Sequence, residues 1–274
     1  MKGNNRHMKR IKSLEKAFEI LDCFQEERRD WGVSELAKEL HLPKSTVASL
    51  LTTMVDCGYL RQDERTKKYH LGLRVFEIGF VARLDMEVRR FARPILEELQ
   101  QATQEIVYLT VPRNGEVLYL ETVYPIQHQV RHSDVGRLGP MHCTGVGKAM
   151  LAYMPDEYVE RIVAVKGLRR FTPNTITTLE ELKAELAVTR ERGYAVDRGE
   201  HDRHIGCVAV ALVNDQGLPV AAVSVSGPVL RFGEEARPKY AEQVMQAVSN
   251  LKRYIHLLPQ TSPVPLVEPR REQL

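Results

Sequence analysis

The first seventy residues carry one pattern that few folds satisfy: two helical segments, a tight turn, a third helix, then a short basic hairpin. "IKSLEKAFEILDCF" places Leu14, Ala17, Phe18 and Leu21 at helical spacing, with Ser13 able to cap its start. "VSELAKEL" is a shorter helix, with Ser34 as cap and Leu36 and Leu40 inward. After "HLPKS", Pro43 suits the first turn of a third helix, because the N–H it lacks has no partner there. Val47, Leu50, Leu51, Met54 and Val55 form that helix's stripe, and Cys57-Gly58 ends it. "YLRQDERTKKYHLG" then reads as two short strands around a turn at Asp63 to Thr66. This order predicts a winged helix-turn-helix.

The polar face of the third helix is unusual. It holds Ser45, Thr46, Ser49, Thr52 and Thr53, with Lys44 at the entrance, although short hydroxyl residues are poor helix formers. A helix lying between two phosphate walls of a DNA major groove has little room for long charged side chains. Short hydroxyls can donate or accept, and so can bond phosphates and base edges alike. Lys44, Ser45 and Thr46 are placed for backbone contacts, and Ser49, Thr52 and Thr53 for bases or the far phosphates. Arg65, Lys67 and Lys68, with Tyr69 behind them, make a cationic wing, while Asp56 falls beyond the groove. The competing reading is a solvated helix face beside a charged hairpin. Charge mildly favours an anionic partner for this part: residues 1–91 hold 18 Lys+Arg against 14 Asp+Glu, a net +4 in a chain of net +3.

Residues 73–91, "LRVFEIGFVARLDMEVRRF", are apolar on more than one stripe (Leu73, Val75, Phe76, Ile78, Phe80, Val81, Leu84). Such a helix needs burial on more than one side, which pairing with the same helix of a second chain provides. From Pro94 the pattern mixes helices and strands. "PILEELQQAT" is a helix, and "EIVYLTVPR" and "EVLYLETVYP" are strands joined by "RNGE". "QHQVRHSDV", "YAVDRGE", "IGCVAVALVND" and "LPVAAVSVSGP" also read as strands. "CTGVGKAMLAYM", "PDEYVERIVAV", "TLEELKAELAVTRERG" and "ARPKYAEQVMQAVSNLKRYIHLL" read as helices, and the Pro-rich tail as loose. The expected class is α+β. Its parts are a winged helix-turn-helix domain over 8–72, a linker and dimerisation helix over 73–91, an α/β domain over 92–258 and a flexible tail over 259–274. No apolar run reaches the roughly 18 residues of a membrane span, and the basic N-terminus lacks an apolar signal core, so a cytoplasmic location is expected.

The segments "IKSLEKAFEILDCF", "VSELAKELHLPKSTVASLLTTMVDCGYL" and "KKYHLG", followed by "GPMHCTGVGKAMLA", "RERGYAVDRGEH", "GCVAVALVNDQG" and "AAVSVSGP", resemble the IclR family of bacterial transcriptional regulators. The resemblance runs from about residue 10 to 257. It implies a winged helix-turn-helix, a linker helix and a GAF-like α/β effector-binding domain. It also implies homodimers that pair into tetramers, operator DNA as partner, and a small effector, commonly an organic or aromatic acid. Repression of a metabolic operon is the expected outcome, with activation the alternative, and no cofactor is implied. Aligned motifs carry ligand positions onto Gly145 and Val146 in "CTGVGK", and onto Asp197 in "GYAVD". They carry others onto Ile205 and Cys207 in "IGCVAVAL", and onto Ser224 and Ser226 in "SVSGP". Gly145 and Val146 would meet a carboxylate with backbone N–H groups. Ser224 and Ser226, two apart, share one strand face. Arg203 and His204 depart from the family pattern. The loop at 124–134 aligns poorly, and its His128, Arg131 and His132 are candidates to pair with an acidic effector.

Three other chemistries meet obstacles in the sequence. "TGVGK" is not a phosphate loop: His142 stands where the first Gly is required, and Ala149 follows Lys148 instead of Ser or Thr. His201, His204 and Cys207 have zinc-like spacing, but a strand starting near Ile205 would point them apart, so no metal is expected. Cys143 or Cys207 paired with a His would make a thiol enzyme, yet no orienting third group is evident, and a non-enzyme is expected. A sensor without DNA binding is the last alternative, and the basic wing argues against it.

Overall fold

A computed structural model describes residues 11–25, 28–84, 87–126 and 133–258. The start of the first expected domain, the tail at 259–274, residues 127–132 of the strand expected over 127–135, and His128, Arg131 and His132 all lie outside the described residues, and Ser133, Asp134 and Val135 form no strand. The chain forms two compact units, Met1–Asp85 and Met86–Leu274.

In the first unit, α1 (Lys12–Asp22), α2 (Val33–Glu39) and α3 (Lys44–Asp56) lead to β1 (Leu60–Gln62), β2 (Tyr69–Leu71) and α4 (Leu73–Leu84). Ile20, Leu36, Val47, Leu51 and Leu60 make its core, with Trp31 and Tyr69. Two expected caps are absent. The residue before α1 is Ile11, with no side-chain cap, so Ser13 lies inside the helix. Gly32, not Ser34, precedes α2, and the Glu35 carboxylate accepts the Gly32 N–H at 2.7 Å. That carboxylate reaches back one turn and makes a hydroxyl cap unnecessary. Pro43 stands just before α3, and Gly58, at φ 78°, follows its end. The wing gains a bridge that the sequence did not signal: Trp31 exchanges backbone hydrogen bonds with Tyr69 (3.1 and 2.8 Å). Trp31 also donates its indole N–H to the Cys23 carbonyl. Leu14 and Phe18 of α1, and Leu73, Phe76, Phe80 and Val81 of α4, remain exposed on a single chain.

The second unit opens with α5 (Glu87–Thr103). The helix boundary expected before Pro94 does not exist, because Pro94 lies inside α5. An interior proline costs about 3 kcal/mol. The unbroken buried stripe of Val88, Ala92, Leu96 and Leu99 offsets it. There follow β3 (Ile106–Arg113), β4 (Glu116–Val123), β5 (Leu138–Pro140), α6 (Gly145–Leu151), α7 (Asp156–Lys166) and α8 (Leu179–Arg192). Next come β6 (Ala195–Arg198), β7 (Ile205–Val213), β8 (Pro219–Pro228) and α9 (Arg237–Leu251), with a 3-10 helix at Lys252–Leu257 after it. All six strands form one antiparallel sheet in the order β5-β4-β3-β8-β7-β6. Asn114 and Gly115, both at positive φ (51° and 78°), turn β3 into β4 as a two-residue hairpin loop requires.

The two faces of the sheet differ in side-chain size, and the period-two alternation of the strands sets this. Val208, Val210 and Leu212 of β7 and Val223 and Val225 of β8 point to one face, in a core with α5 and α9. Cys207, Ala209 and Ala211, with Ala222, point to the other, where Val146, Ala149 and Met150 of α6 pack. Bulky residues close the first layer. Small ones leave room in the second, and there the cavity lies.

Candidate functional site

On α3, Lys44, Ser45, Ser49, Thr52 and Thr53 are exposed, and Thr46 is half-buried. Ser49, Thr52 and Thr53 donate their hydroxyls to the carbonyls four residues back (Ser45, Ala48 and Ser49), each at 3.0 Å. This answers the low helix propensity of the face: the hydroxyl protons are used within the helix. Each hydroxyl oxygen keeps lone pairs that can accept a further hydrogen bond. Asp56, the last residue of the helix, is exposed.

The wing tip is built around Asp63. Its Oδ1 accepts from the backbone N–H of Arg65 (3.0 Å) and Thr66 (2.7 Å), and from the Thr66 hydroxyl (2.9 Å). These hydrogen bonds hold its carboxyl below the usual range. Lys67, at φ 56°, is exposed, and its carbonyl is fixed by the Gln62 amide at 2.9 Å. Lys68, which the sequence groups with Lys67, is placed differently. Its ammonium donates to Asp30 at 2.8 Å. Lys67→Ala is therefore expected to reduce the salt slope of DNA binding by about 0.9 unit. Lys68→Ala, whose charge Asp30 already shares, is expected to reduce it by less. A salt titration of both variants checks the order, and equal effects would remove the Asp30 pair from the account.

In the second unit, Gly145, Val146, Asp197, Ile205, Cys207, Ser224 and Ser226 all line one cavity of about 500 Å³. Strand register explains the convergence. Asp197 pairs with Cys207, Cys207 with Ser226, and Ser226 with Ile106, so one row crosses four strands. The next row runs from Ala209 to Ser224 to Tyr108. Thr144 caps α6 by accepting the Gly147 N–H at 3.2 Å, which brings Gly145 against the sheet. A Cβ on Gly145 would stand 2.6 Å from Cys207 Sγ, so only glycine fits there. Tyr108, Tyr119, Arg137 and Phe171 also line the cavity. The tyrosines look in sequence like ordinary strand aromatics, and Phe171 lies in a loop with no period. Only strand register exposes the first two.

Burial pushes the Asp197 carboxyl up to about 7, although it accepts the Glu200 N–H at 2.7 Å. Burial, then the nearby Asp197, push the Cys207 thiol up to about 12, and burial also raises Cys143. Both stay protonated at neutral pH, the opposite of an activated nucleophile. His201, His204 and Cys207 line the cavity, but among the described residues no three metal-ligating side chains converge. Behind the wall, Lys148 of α6 is fully buried, 2.5 Å from Glu200 and 3.6 Å from Glu185.

Comparison with known proteins agrees with both units. The profile "Bacterial transcriptional regulator IclR C-terminal" matches residues 82–253, and "IclR helix-turn-helix domain" matches 13–64. The chain is 32% identical over 241 residues to the HTH-type transcriptional regulator KdgR of Dickeya chrysanthemi, covering 88% of this chain and 79% of that one. It is 30% identical over 243 residues to the transcriptional repressor IclR of Escherichia coli (strain K12), covering 88% and 89%. An IclR homolog from Microbacterium hydrocarbonoxydans, solved in complex with 4-hydroxybenzoate, aligns with a TM-score of 0.71 at 26% identity, over 89% of this chain and 99% of that one. This chain belongs to the IclR family of bacterial transcriptional regulators, which read DNA through the helix-turn-helix unit.

Proposed function

We propose that this protein represses a catabolic operon as a homodimer, paired further into a tetramer, and that a small organic or aromatic acid in the cavity releases it from the operator. DNA contacts fall to Lys44, Ser45, Thr46, Ser49, Thr52, Thr53, Arg65, Lys67 and Lys68. The effector contacts are Gly145, Val146, Asp197, Ile205, Cys207, Ser224 and Ser226. The observation that carries the reading is the meeting of all seven effector positions, from four separate motifs, around one cavity. Exposed Leu73, Phe76, Phe80 and Val81 on α4 support self-pairing, since such a stripe is costly in water. Two half-sites of an imperfect palindrome would then face two copies of α3. The neutral thiols support a binding role without catalysis, and action in the cytoplasm fits a chain in which no described helix is long and apolar enough to cross a membrane.

The wall chemistry suits an acid below neutral pH. With its carboxyl protonated, Asp197 donates a hydrogen bond to a ligand carboxylate. The raised value means that the proton is held until the pH passes about 7, after which two negative charges share the site. Anisotropy of a labelled duplex from the gene's upstream region, titrated with small carboxylates such as 4-hydroxybenzoate, tests the reading. A releasing acid is expected to lose potency above pH 7. The Ser224→Ala/Ser226→Ala variant is expected to lose the response while keeping wild-type DNA affinity. A response that survives in that variant would refute the assigned contacts.

A further inference from the structure

The hairpin of β3 and β4 contains one irregularity. Leu109 pairs with Glu121, but its neighbour Thr110 pairs with Tyr119, so Leu120 is the extra residue of a β-bulge. In a regular strand, residues 119 and 121 would share a face. Here the bulge sends them to opposite faces. Tyr119 lines the effector cavity, its ring edge-on to Tyr108 at 5.2 Å. Glu121 turns to the α5 side and is buried. Its Oε2 accepts from Arg89, with Nε at 2.6 Å and Nη2 also in contact, and its Oε1 accepts from Arg93 at 3.4 Å. Both carboxylate oxygens are thus held by arginines of α5. That helix opens one residue after the boundary between the two units.

We propose that Tyr119 and Glu121, on either side of the Leu120 bulge, are the positioning residues that carry cavity occupancy to α5. The proposal rests on the effector reading above. An occupant that displaces the Tyr119 ring rotates the strand at its least regular point. The rotation moves the Glu121 carboxylate, and Arg89 and Arg93 follow with the first turns of α5. A bulge suits this role because its extra residue is unpaired, so the strand can twist there without breaking a full ladder. Coupling of this kind is reciprocal: disturbing Glu121 must alter the cavity strands, as disturbing Tyr119 alters α5.

Hydrogen–deuterium exchange of the full-length protein tests this without ligand or DNA. Tyr119→Leu, with Tyr119→Ala as a second truncation, is expected to speed exchange across residues 88–96 by about tenfold, within the usual range for coupled sites. Tyr119→Phe, which keeps the ring, is expected to match wild type there. Glu121→Gln is expected to speed exchange at 88–96 and also at 106–110 on the cavity strand. The double variant Tyr119→Leu/Glu121→Gln should exceed neither single variant at 88–96, because one route is broken once. The proposal is overturned if the Tyr119 truncations change 106–110 while 88–96 stays as in wild type, or if the two effects multiply in the double variant. Such a failure leaves the effector reading standing, and an effector response that survives Ser224→Ala/Ser226→Ala leaves this test valid.

Discussion

Gly147→Ala is expected to destabilise the C-terminal unit by about 3 kcal/mol or more, the upper range for overpacking a fixed site. A Cβ at this position would stand 2.3 Å from the Met141 carbonyl oxygen and 2.4 Å from its Cα. Those are backbone atoms just after β5, and Met141 itself is buried, so neither side can step aside. The clash would push α6 off the sheet and undo the cap in which Thr144 accepts the Gly147 N–H. Urea unfolding followed by circular dichroism measures the loss. Gly233→Ala serves as the control, because an added Cβ there meets nothing within 4 Å. A Gly147→Ala midpoint equal to that of the control would show that the α6–sheet contact is looser than described.

Lys148→Met is the second large effect, expected at about 3–5 kcal/mol, the usual cost of breaking one side of a buried ion pair. The lysine is fully buried, and its ammonium lies 2.5 Å from Glu200 Oε1. Glu200 Oε2 is buried with no hydrogen-bond partner among the described residues, so the lysine is the main compensation for that carboxylate. Glu185 retains Arg192 at 2.9 Å and Arg198 at 3.1 Å, and loses less. The penalty should therefore follow Glu200. Lys148→Met/Glu200→Gln is expected to recover most of it, since the unpaired charge is then gone. A thermal-unfolding double-mutant cycle over these two positions checks the assignment. If the double variant is no more stable than Lys148→Met, the loss lies in packing instead of charge.

Much of this molecule is legible in its sequence where local rules act alone. The order of α1, α2, α3 and wing follows from helical spacing, from Gly58 after α3, and from a polar turn between short strands. The Asn114–Gly115 turn is legible because few residues accept positive φ. The cavity is partly legible: the alternation of Val208, Val210 and Leu212 with Cys207, Ala209 and Ala211 already separates a bulky face from a small one.

What escaped depends on local competition at helix starts or on contacts distant in sequence. Ser13 and Ser34 look like caps, but neither stands at the start of its helix, and for α2 the reach of Glu35 decides. Pro94 looks like a helix start, yet a buried stripe on both sides of it carries α5 through. In sequence Lys148 reads only as a candidate phosphate-loop lysine. Its partner Glu200 lies 52 residues away and could not be named. Tyr119 and Glu121 look like neighbours on one face until the register shift at Leu120 is seen. Lys68 looks as available as Lys67 until the fold brings Asp30 beside it.

The measurement that tests the central claim most directly is the salt dependence of wild-type binding to a duplex from the gene's upstream region. The account predicts tight binding that weakens linearly on a double-logarithmic plot, with a slope of about −0.9 for each phosphate held by α3 and the wing. Binding that ignores salt, or no binding to that duplex at any ionic strength, would contradict it.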